Sequence, residues 1–214
     1  MLSKRCNAQA RGSTMLEVLV TIGILAFGLL GFAGLQNKIQ VSNAESYQRA
    51  QAILLLSDMV ERMNVAPAVD SSSVACTSLS TDALVIACQA QRAEAYVSGT
   101  TFGSGDGLSL PCPAAAGAAR DQCEWSNNLK GAAETQSSSK VGAMSGARGC
   151  VTRVRTANPT AGVCTPAIYL VSVAWQGFGK TAATANTCAQ NPYGDDGFRR
   201  VISSRIVVGI PGCT

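Results

Sequence analysis

One stretch of 21 residues, from Met15 to Leu35, constrains this 214-residue chain more than any other part of it. Glu17 is the only charged residue in the stretch. As a helix it would be about 31 Å long, which matches the hydrocarbon core of a bilayer. We therefore predict a membrane-spanning helix. A carboxylate within such a span costs about 2.5 kcal/mol or more at depth, so Glu17 is a candidate functional residue.

The segment in front of the span is basic. It carries Lys4, Arg5 and Arg11 and no acid. A secretory signal loses its apolar part on cleavage, whereas a cut after Gly12 would keep the apolar helix in the mature protein. Because Lys and Arg stay on the cytoplasmic side of a membrane, we expect the C-terminal bulk of the chain to be exported.

Residues 12–17, Gly-Ser-Thr-Met-Leu-Glu, followed by a long apolar helix, resemble the prepilin signal of type IV pilins and type II secretion pseudopilins. The resemblance implies that a prepilin peptidase removes a leader of residues 1–12 by cutting between Gly12 and Ser13. It also implies methylation of the new amino terminus at Ser13, where the family usually has Phe. Glu17 would set filament register by pairing with the terminal ammonium of a neighbouring subunit. From the residues alone, Thr14 and Glu17 also fit a helix capping box.

The helix is expected to continue beyond the apolar stretch with helical spacing of its apolar residues and to end near Asn64, before Pro67. Residues 13–37 would form a transmembrane or filament-core half, and residues 38–64 an amphipathic half that packs on a globular head.

Two parts of this helix, residues 25–36 and 49–63, resemble the helix of PilV-type minor pilins. Three glycines in the first half, Gly28, Gly31 and Gly34, recur at every third position. They fit close packing against a neighbouring helix, and they equally fit a soft segment that unwinds partly in a filament. For Asp58, Glu61 and Arg62, in the second half, we expect a solvated helix face with local pairs.

The cysteines predict an oxidising compartment. Cys6 lies in the leader, and an even set of eight follows the span, which is typical of a disulfide framework in the periplasm. The sequence leaves 105 pairings open. The simplest hypothesis closes short loops, and the last of its pairs resembles the disulfide-bounded C-terminal loop of many pilins. The four pairs of this hypothesis are Cys76–Cys88, Cys112–Cys123, Cys150–Cys164 and Cys188–Cys213. Zinc is disfavoured because the chain has neither a C-x-x-C pair nor histidine.

Residues 65–149 read as a loop region between helix and sheet, stapled by four of the cysteines. Within it we predict two short helices, over residues 82–97 and 121–133, the second with Asp121 as its N-cap. The first carries Leu84, Cys88, Arg92 and Ala95 along one stripe.

Residues 150–214 are expected to form an antiparallel sheet, with strands over residues 150–156, 167–175 and 199–208. In the middle strand one face is expected to pack on the helix: Tyr169, Val171, Val173 and Trp175. The predicted fold class is therefore α+β. It matches the type IV pilin plan of one long N-terminal helix on a small antiparallel β-sheet head, often likened to a lollipop.

Composition excludes several classes of function. The chain has 17 basic and 13 acidic residues, and without the leader it is close to neutral, so we predict no nucleic-acid partner. Without histidine there is no Ser-His-Asp or Cys-His arrangement, and we predict no enzyme activity, metal or cofactor.

The glycine-rich residues 103–107 are interpreted as a mobile loop, and residues 191–197 as a turn in preference to a calcium site. Arg199 and Arg200 are expected at a strand edge.

The resemblance implies a structural subunit, a minor pilin that helps to initiate a type IV pilus, sits near its tip and supports adhesion and twitching motility. The implied partners are other minor pilins, the major pilin, a tip adhesin and the assembly platform. The head would lie in the periplasm, anchored to the inner membrane, before assembly at the cell surface. Two alternatives remain: a minor pseudopilin of a type II secretion system, and an ordinary membrane-anchored periplasmic binding domain.

Overall fold

The computed structural model describes residues 12, 14–65, 76, 81–132, 135–136, 139–140 and 144–213. The remainder of the leader, Ser13 and Pro67 lie outside the described residues. The chain divides into two compact units, Met1–Ala44 and Glu45–Thr214.

The first unit contains the beginning of the longest helix, α1, which runs from Met15 to Asn64. The predicted end at Asn64 is confirmed. The side chain of Thr14 accepts a hydrogen bond from the backbone N–H of Glu17 at 3.3 Å. This bond satisfies one of the unpaired N–H groups of the first helical turn and is one half of the predicted capping box. The other half, a bond from the Thr14 N–H to the Glu17 carboxylate, is not formed among the described residues.

The second unit contains the rest of α1 and an α+β head, and the predicted fold class is confirmed. The elements that follow α1 are α2 (Asp82–Ala90), a 3-10 helix (Glu94–Tyr96), β1 (Phe102–Gly103), α3 (Ala118–Leu129), β2 (Thr135–Gln136), β3 (Ser139–Lys140), β4 (Arg148–Arg155), β5 (Ala167–Gln176), a second 3-10 helix (Asp196–Phe198) and β6 (Arg199–Val208). A four-stranded antiparallel sheet has the strand order β1-β4-β5-β6, and β2 pairs with β3 in a separate ladder.

The core of the head lies between the second half of α1 and one face of the sheet. Buried residues on α1 recur at intervals of four, three and four, so they form one stripe along the helix. Alternate residues of β5 face this stripe, which confirms the predicted packing face. The two sets are Ala52, Leu56, Met59 and Met63 on α1, and Tyr169, Val171, Val173 and Trp175 on β5.

The first predicted short helix is wrong in its length. Instead of continuing to residue 97, α2 ends at Ala90, and the chain turns before the 3-10 helix. The turn brings Ala93 and Tyr96 into the core, whereas Leu84, on the predicted stripe, is 51% exposed. Burial of a large aromatic ring therefore overrides the continuation of the helix.

The second short helix begins earlier than predicted. Its N-cap is Gly117, not Asp121, and its last residue is Leu129. Gly117 has φ +140°, a backbone conformation that favours glycine. Asp121 instead lies in the first turn, where its N–H donates to the Gly117 carbonyl at 3.0 Å.

The glycine-rich segment near residue 105 is more than the loop predicted there. Phe102–Gly103 forms β1 against β4, and the segment then folds around the Asp106 carboxylate. That carboxylate accepts hydrogen bonds from the backbone N–H groups of Gly103 (2.8 Å) and Leu108 (3.0 Å). Gly103, with φ +98°, provides the conformation that L-residues with side chains rarely adopt.

Four disulfides staple the head, and two of the predicted pairs are confirmed, Cys76–Cys88 and Cys112–Cys123. The other two are wrong, because the structure has Cys150–Cys188 and Cys164–Cys213. The reason is the β5–β6 pairing, in which Ala167 lies opposite Val208. A cysteine just before β5 and one just after β6 therefore meet at the same end of the sheet. The hypothesis of short loops considered only the separation of the cysteines along the chain.

Candidate functional site

The first unit exposes an uninterrupted apolar surface. From Met15 to Leu35 every large apolar side chain is between 45% and 87% exposed. The helix is long and apolar enough to cross a membrane. Because each Å² of apolar surface removed from water contributes about 25 cal/mol, a surface of this size marks contact with lipid or with other proteins. Its members are Met15, Leu16, Val18, Leu19, Val20, Ile22, Ile24, Leu25, Phe27, Leu29, Leu30, Phe32 and Leu35.

Glu17 stands at the start of this surface. It lies in the first turn of α1, where the positive end of the helix dipole favours an acid. Its side chain is exposed, and among the described residues nothing pairs with the carboxylate. Gly12 is exposed and lies two residues before Thr14, while its cleavage partner Ser13 lies outside the described part of the chain. Glu17 is thus available to a group from another molecule.

No family model, curated protein or solved structure matches this chain. A functional assignment therefore depends on its own residues and geometry. One long N-terminal apolar helix, with a small antiparallel sheet and disulfides, is consistent with a pilin-like fold.

A cluster of charges that the sequence did not reveal joins α1 to α3. The guanidinium of Arg62 lies 2.8 Å from the Asp58 carboxylate, as the predicted local pair requires. It also reaches Asp121 at 3.1 Å and Glu124 at 2.7 Å, so the expected solvated face is wrong for Arg62, which is 22% exposed. The hydroxyl of Tyr96 donates to the same Asp121. Partners some sixty residues apart leave no local pattern, and no sequence signal could have identified them.

The charges of this cluster influence one another. Burial and the neighbouring Asp121 carboxylate raise the pKa of Tyr96. Hydrogen bonds from Arg120 and Arg62 lower the pKa of the Glu124 carboxyl. Both shifts favour the state in which the phenol donates and the carboxylate accepts. The cluster is a structural link between α1 and α3.

Arg199 and Arg200 begin the edge strand β6, as predicted. The Arg199 side chain is nevertheless fully buried. Its guanidinium makes two bonds to the Asp196 carboxylate, of 2.5 and 2.9 Å, and lowers the pKa of that group. The remaining N–H groups donate to the backbone carbonyls of Asn186, Cys188 and Thr184. Arg199 thus organises the loop between β5 and β6.

In the candidate calcium segment, residues 191–197, both aspartate carboxylates form ion pairs. Asp195 accepts the N–H of Gly197 at 2.8 Å and lies 2.6 Å from the Lys180 ammonium, which lowers the pKa of Asp195. Its neighbour Asp196 is held by Arg199, so both carboxylates already have a cation. In the part of the chain that the structure describes, no group of three or more acids or cysteines could hold a metal ion.

Proposed function

We propose that this chain is a minor pilin of a type IV pilus. It would be a non-enzymatic structural subunit that primes assembly, sits at or near the pilus tip and supports adhesion and twitching motility. Other minor pilins, the major pilin, a tip adhesin and the assembly platform would be its partners. Before assembly the first unit lies in the inner membrane and the head in the periplasm; afterwards both belong to a pilus at the cell surface.

One observation carries this proposal: an exposed apolar stretch of helix has in its first turn an acid that no described residue pairs with, shortly after a basic segment that ends in glycine. An ordinary membrane anchor needs the apolar residues but not the acid. A carboxylate at this depth is costly unless it is paired. In a helical bundle of sister subunits, the free ammonium of a neighbour's Ser13 would supply the partner.

The proposed mechanism follows from that cost. A subunit whose Glu17 faced hydrocarbon would be disfavoured, whereas the subunit in which Glu17 meets an ammonium would gain a charge-assisted hydrogen bond. Only one axial stagger between neighbouring helices brings these groups together. Glu17 would therefore fix register, and the exposed apolar side chains would supply the contact area. The similarity of residues 25–36 and 49–63 to PilV-type minor pilins supports the pilus assignment.

The test is an intact-mass measurement on the protein purified from membranes of a piliated host, combined with detection in sheared pili. We expect a mature amino terminus at Ser13, and we expect Gly12→Ala to retain residues 1–12. Glu17→Ala should be cleaved but missing from pili. Glu61→Ala, an exposed acid on the same helix outside the apolar stretch, is the matched control and should enter pili normally.

Two results would reject the proposal. A protein that begins at Met1 and is unaffected by Gly12→Ala would be an ordinary anchored periplasmic domain. If processing occurs but deletion of the chain abolishes protein secretion and leaves pili intact, the chain is a minor pseudopilin.

A further inference from the structure

The head contains a polar cavity that the assembly role does not use. It has a volume of about 330 Å³, at the small end of the ~300–1,000 Å³ typical of ligand pockets. Its floor is the face of the sheet that points away from α1, including Thr152, Leu170 and Ser172. Residues 98–101 form one wall and residues 185–189 form the other.

The second wall is fixed in place by two independent devices. The Cys150–Cys188 disulfide ties it to β4, and the buried Arg199 holds the carbonyls of Asn186 and Cys188 at 2.5 and 2.9 Å. Asn186 in turn donates to the Ser172 hydroxyl at 2.9 Å. A cavity with such a wall is formed before any ligand arrives, and preorganisation reduces the entropic cost of binding.

Three hydroxyl groups of the cavity have a defined direction of hydrogen bonding. Thr101 accepts a hydrogen bond from Arg148, and Ser172 accepts one from Asn186, so each has its own hydrogen left to donate. Thr152 donates to the Leu170 carbonyl at 3.4 Å, which leaves its oxygen free to accept. The cavity therefore offers donors and an acceptor together.

The charge of the lining restricts the ligand further. None of the described residues that line the cavity is acidic or basic. An ion bound there would lose hydration without direct contact with a countercharge, which is unfavourable. A neutral ligand whose groups both donate and accept hydrogen bonds fits the lining. Polyhydroxyl compounds have this property, because each of their hydroxyl groups can do both.

We propose that this cavity binds a neutral saccharide unit, of one or two sugar rings. The hydroxyls of Thr101 and Ser172 donate to the sugar, and the Thr152 oxygen accepts from it. The apolar Leu170 side chain provides a contact for the C–H groups of the ring. This inference is independent of pilus assembly, because it depends only on the folded head.

Saturation-transfer difference NMR tests this binding on the full chain in lipid nanodiscs, without glycoside detergents, which would occupy the site. The neutral probes are glucose, galactose, mannose, N-acetylglucosamine and lactose, and the charged probes are glucuronate and glucosamine. We expect saturation transfer to at least one neutral sugar, with a dissociation constant that titration calorimetry can determine, and weaker binding of both charged probes.

Variants locate the binding. Thr101→Val and Thr152→Val each remove one hydrogen bond at nearly constant shape, so each should weaken binding about two- to tenfold. Ala185→Trp, at an exposed position of the wall, fills the cavity and should abolish binding without touching the hydroxyls. Thr160→Val, an exposed threonine outside the lining, is the matched control and should bind as the parent does.

Three results would overturn the inference: no neutral sugar binds at millimolar concentration, the charged probes bind as tightly as the neutral ones, or Ala185→Trp retains full affinity. If a valine variant fails to fold, as thermal melting would show, the tryptophan variant still decides the question.

Discussion

At the scale of single residues, Gly149 lies against the ring of Trp125 with no room for a side chain. A Cβ at position 149 would lie 2.1 Å from a ring carbon of Trp125, which is fully buried and donates from its indole N–H to the Leu55 carbonyl at 2.8 Å. The ring cannot move without breaking that bond. We expect Gly149→Ala to lower the free energy of unfolding by about 1–3 kcal/mol in urea denaturation. Gly179→Ala, which has open space around it, should change stability little, and equal effects would contradict the contact.

The Asp106 carboxylate gives a second prediction at this scale, a dependence of stability on pH. Burial opposes its ionisation, but hydrogen bonds from Lys130, Ser126 and two backbone N–H groups outweigh burial and lower its pKa. A lowered pKa in the folded state stabilises the fold fully above the unfolded pKa of about 3.9, and this stabilisation is lost as the pH falls through the folded pKa. Asp106→Asn should therefore cost about 2 kcal/mol at pH 7 and less as the pH falls through the folded-state pKa.

Urea denaturation at several pH values measures this difference. The exposed Asp82 lies in the first turn of α2, and Asp82→Asn serves as the control, with a small effect throughout. A loss of stability in Asp106→Asn that stays constant from pH 7 to pH 2 would show that the carboxylate's charge contributes nothing.

At the scale of elements, the sequence predicts the helices and strands whose apolar residues recur at regular intervals. The long helix to Asn64 and the three strands of the C-terminal part follow from the spacing of their apolar residues. The short helices were misjudged at their ends because burial of Tyr96 and the conformation of Gly117 decide them, and neither has a periodic signature. The residues of the candidate site also fall into those that the sequence reveals and those that it does not. Glu17 is conspicuous in an apolar run, whereas Arg62 and Arg199 acquire their roles from distant partners.

The Arg62 cluster gives the prediction at this scale. Arg62→Met keeps the length of the side chain but leaves Asp58, Asp121 and Glu124 close together without the cation that they share. We expect a loss of about 2 kcal/mol at pH 7, with α3 more exposed to amide hydrogen exchange than α2.

Arg120→Met provides the comparison for this variant. Arg120 pairs with the same Glu124 but is 45% exposed, so its loss should cost less than 1 kcal/mol. If the two variants were equally stable, the ion pairs of Arg62 that link α1 to α3 would contribute nothing to the free energy of unfolding.

At the scale of the whole molecule, the disulfides show why the pairing of the cysteines could not be predicted without knowledge of the fold. The two confirmed pairs close loops of 12 and 11 residues within one region, where proximity in sequence is a fair guide. The other two pairs span 38 and 49 residues and interleave along the chain. Their partners are neighbours only because the β5–β6 pairing and the loop between these strands return the chain to them. A prediction that had applied the expected antiparallel pairing to the cysteines could have found Cys164–Cys213.

The division of the chain into two units gives the last prediction. All buried core residues of the head lie between Ala52 and Val208, and Glu45 makes its ion pair with Arg200 inside the same unit. A chain starting at Glu45 therefore keeps the complete core and loses the exposed apolar helix. Produced in an oxidising compartment, it should be monomeric without detergent and unfold in one cooperative transition, as sedimentation and urea denaturation would show.

A shorter chain starting at Ser57 tests the reason for that outcome. It would lack Ala52, Leu55 and Leu56, and with Leu55 the carbonyl that accepts the Trp125 indole N–H. Because removal of one buried leucine side chain costs about 2–5 kcal/mol, most of the stability of an ordinary domain would disappear. We therefore expect no cooperative transition from the shorter chain. A chain from Glu45 that aggregates, or a chain from Ser57 that folds equally well, would mean that the second half of α1 is not part of the head's core.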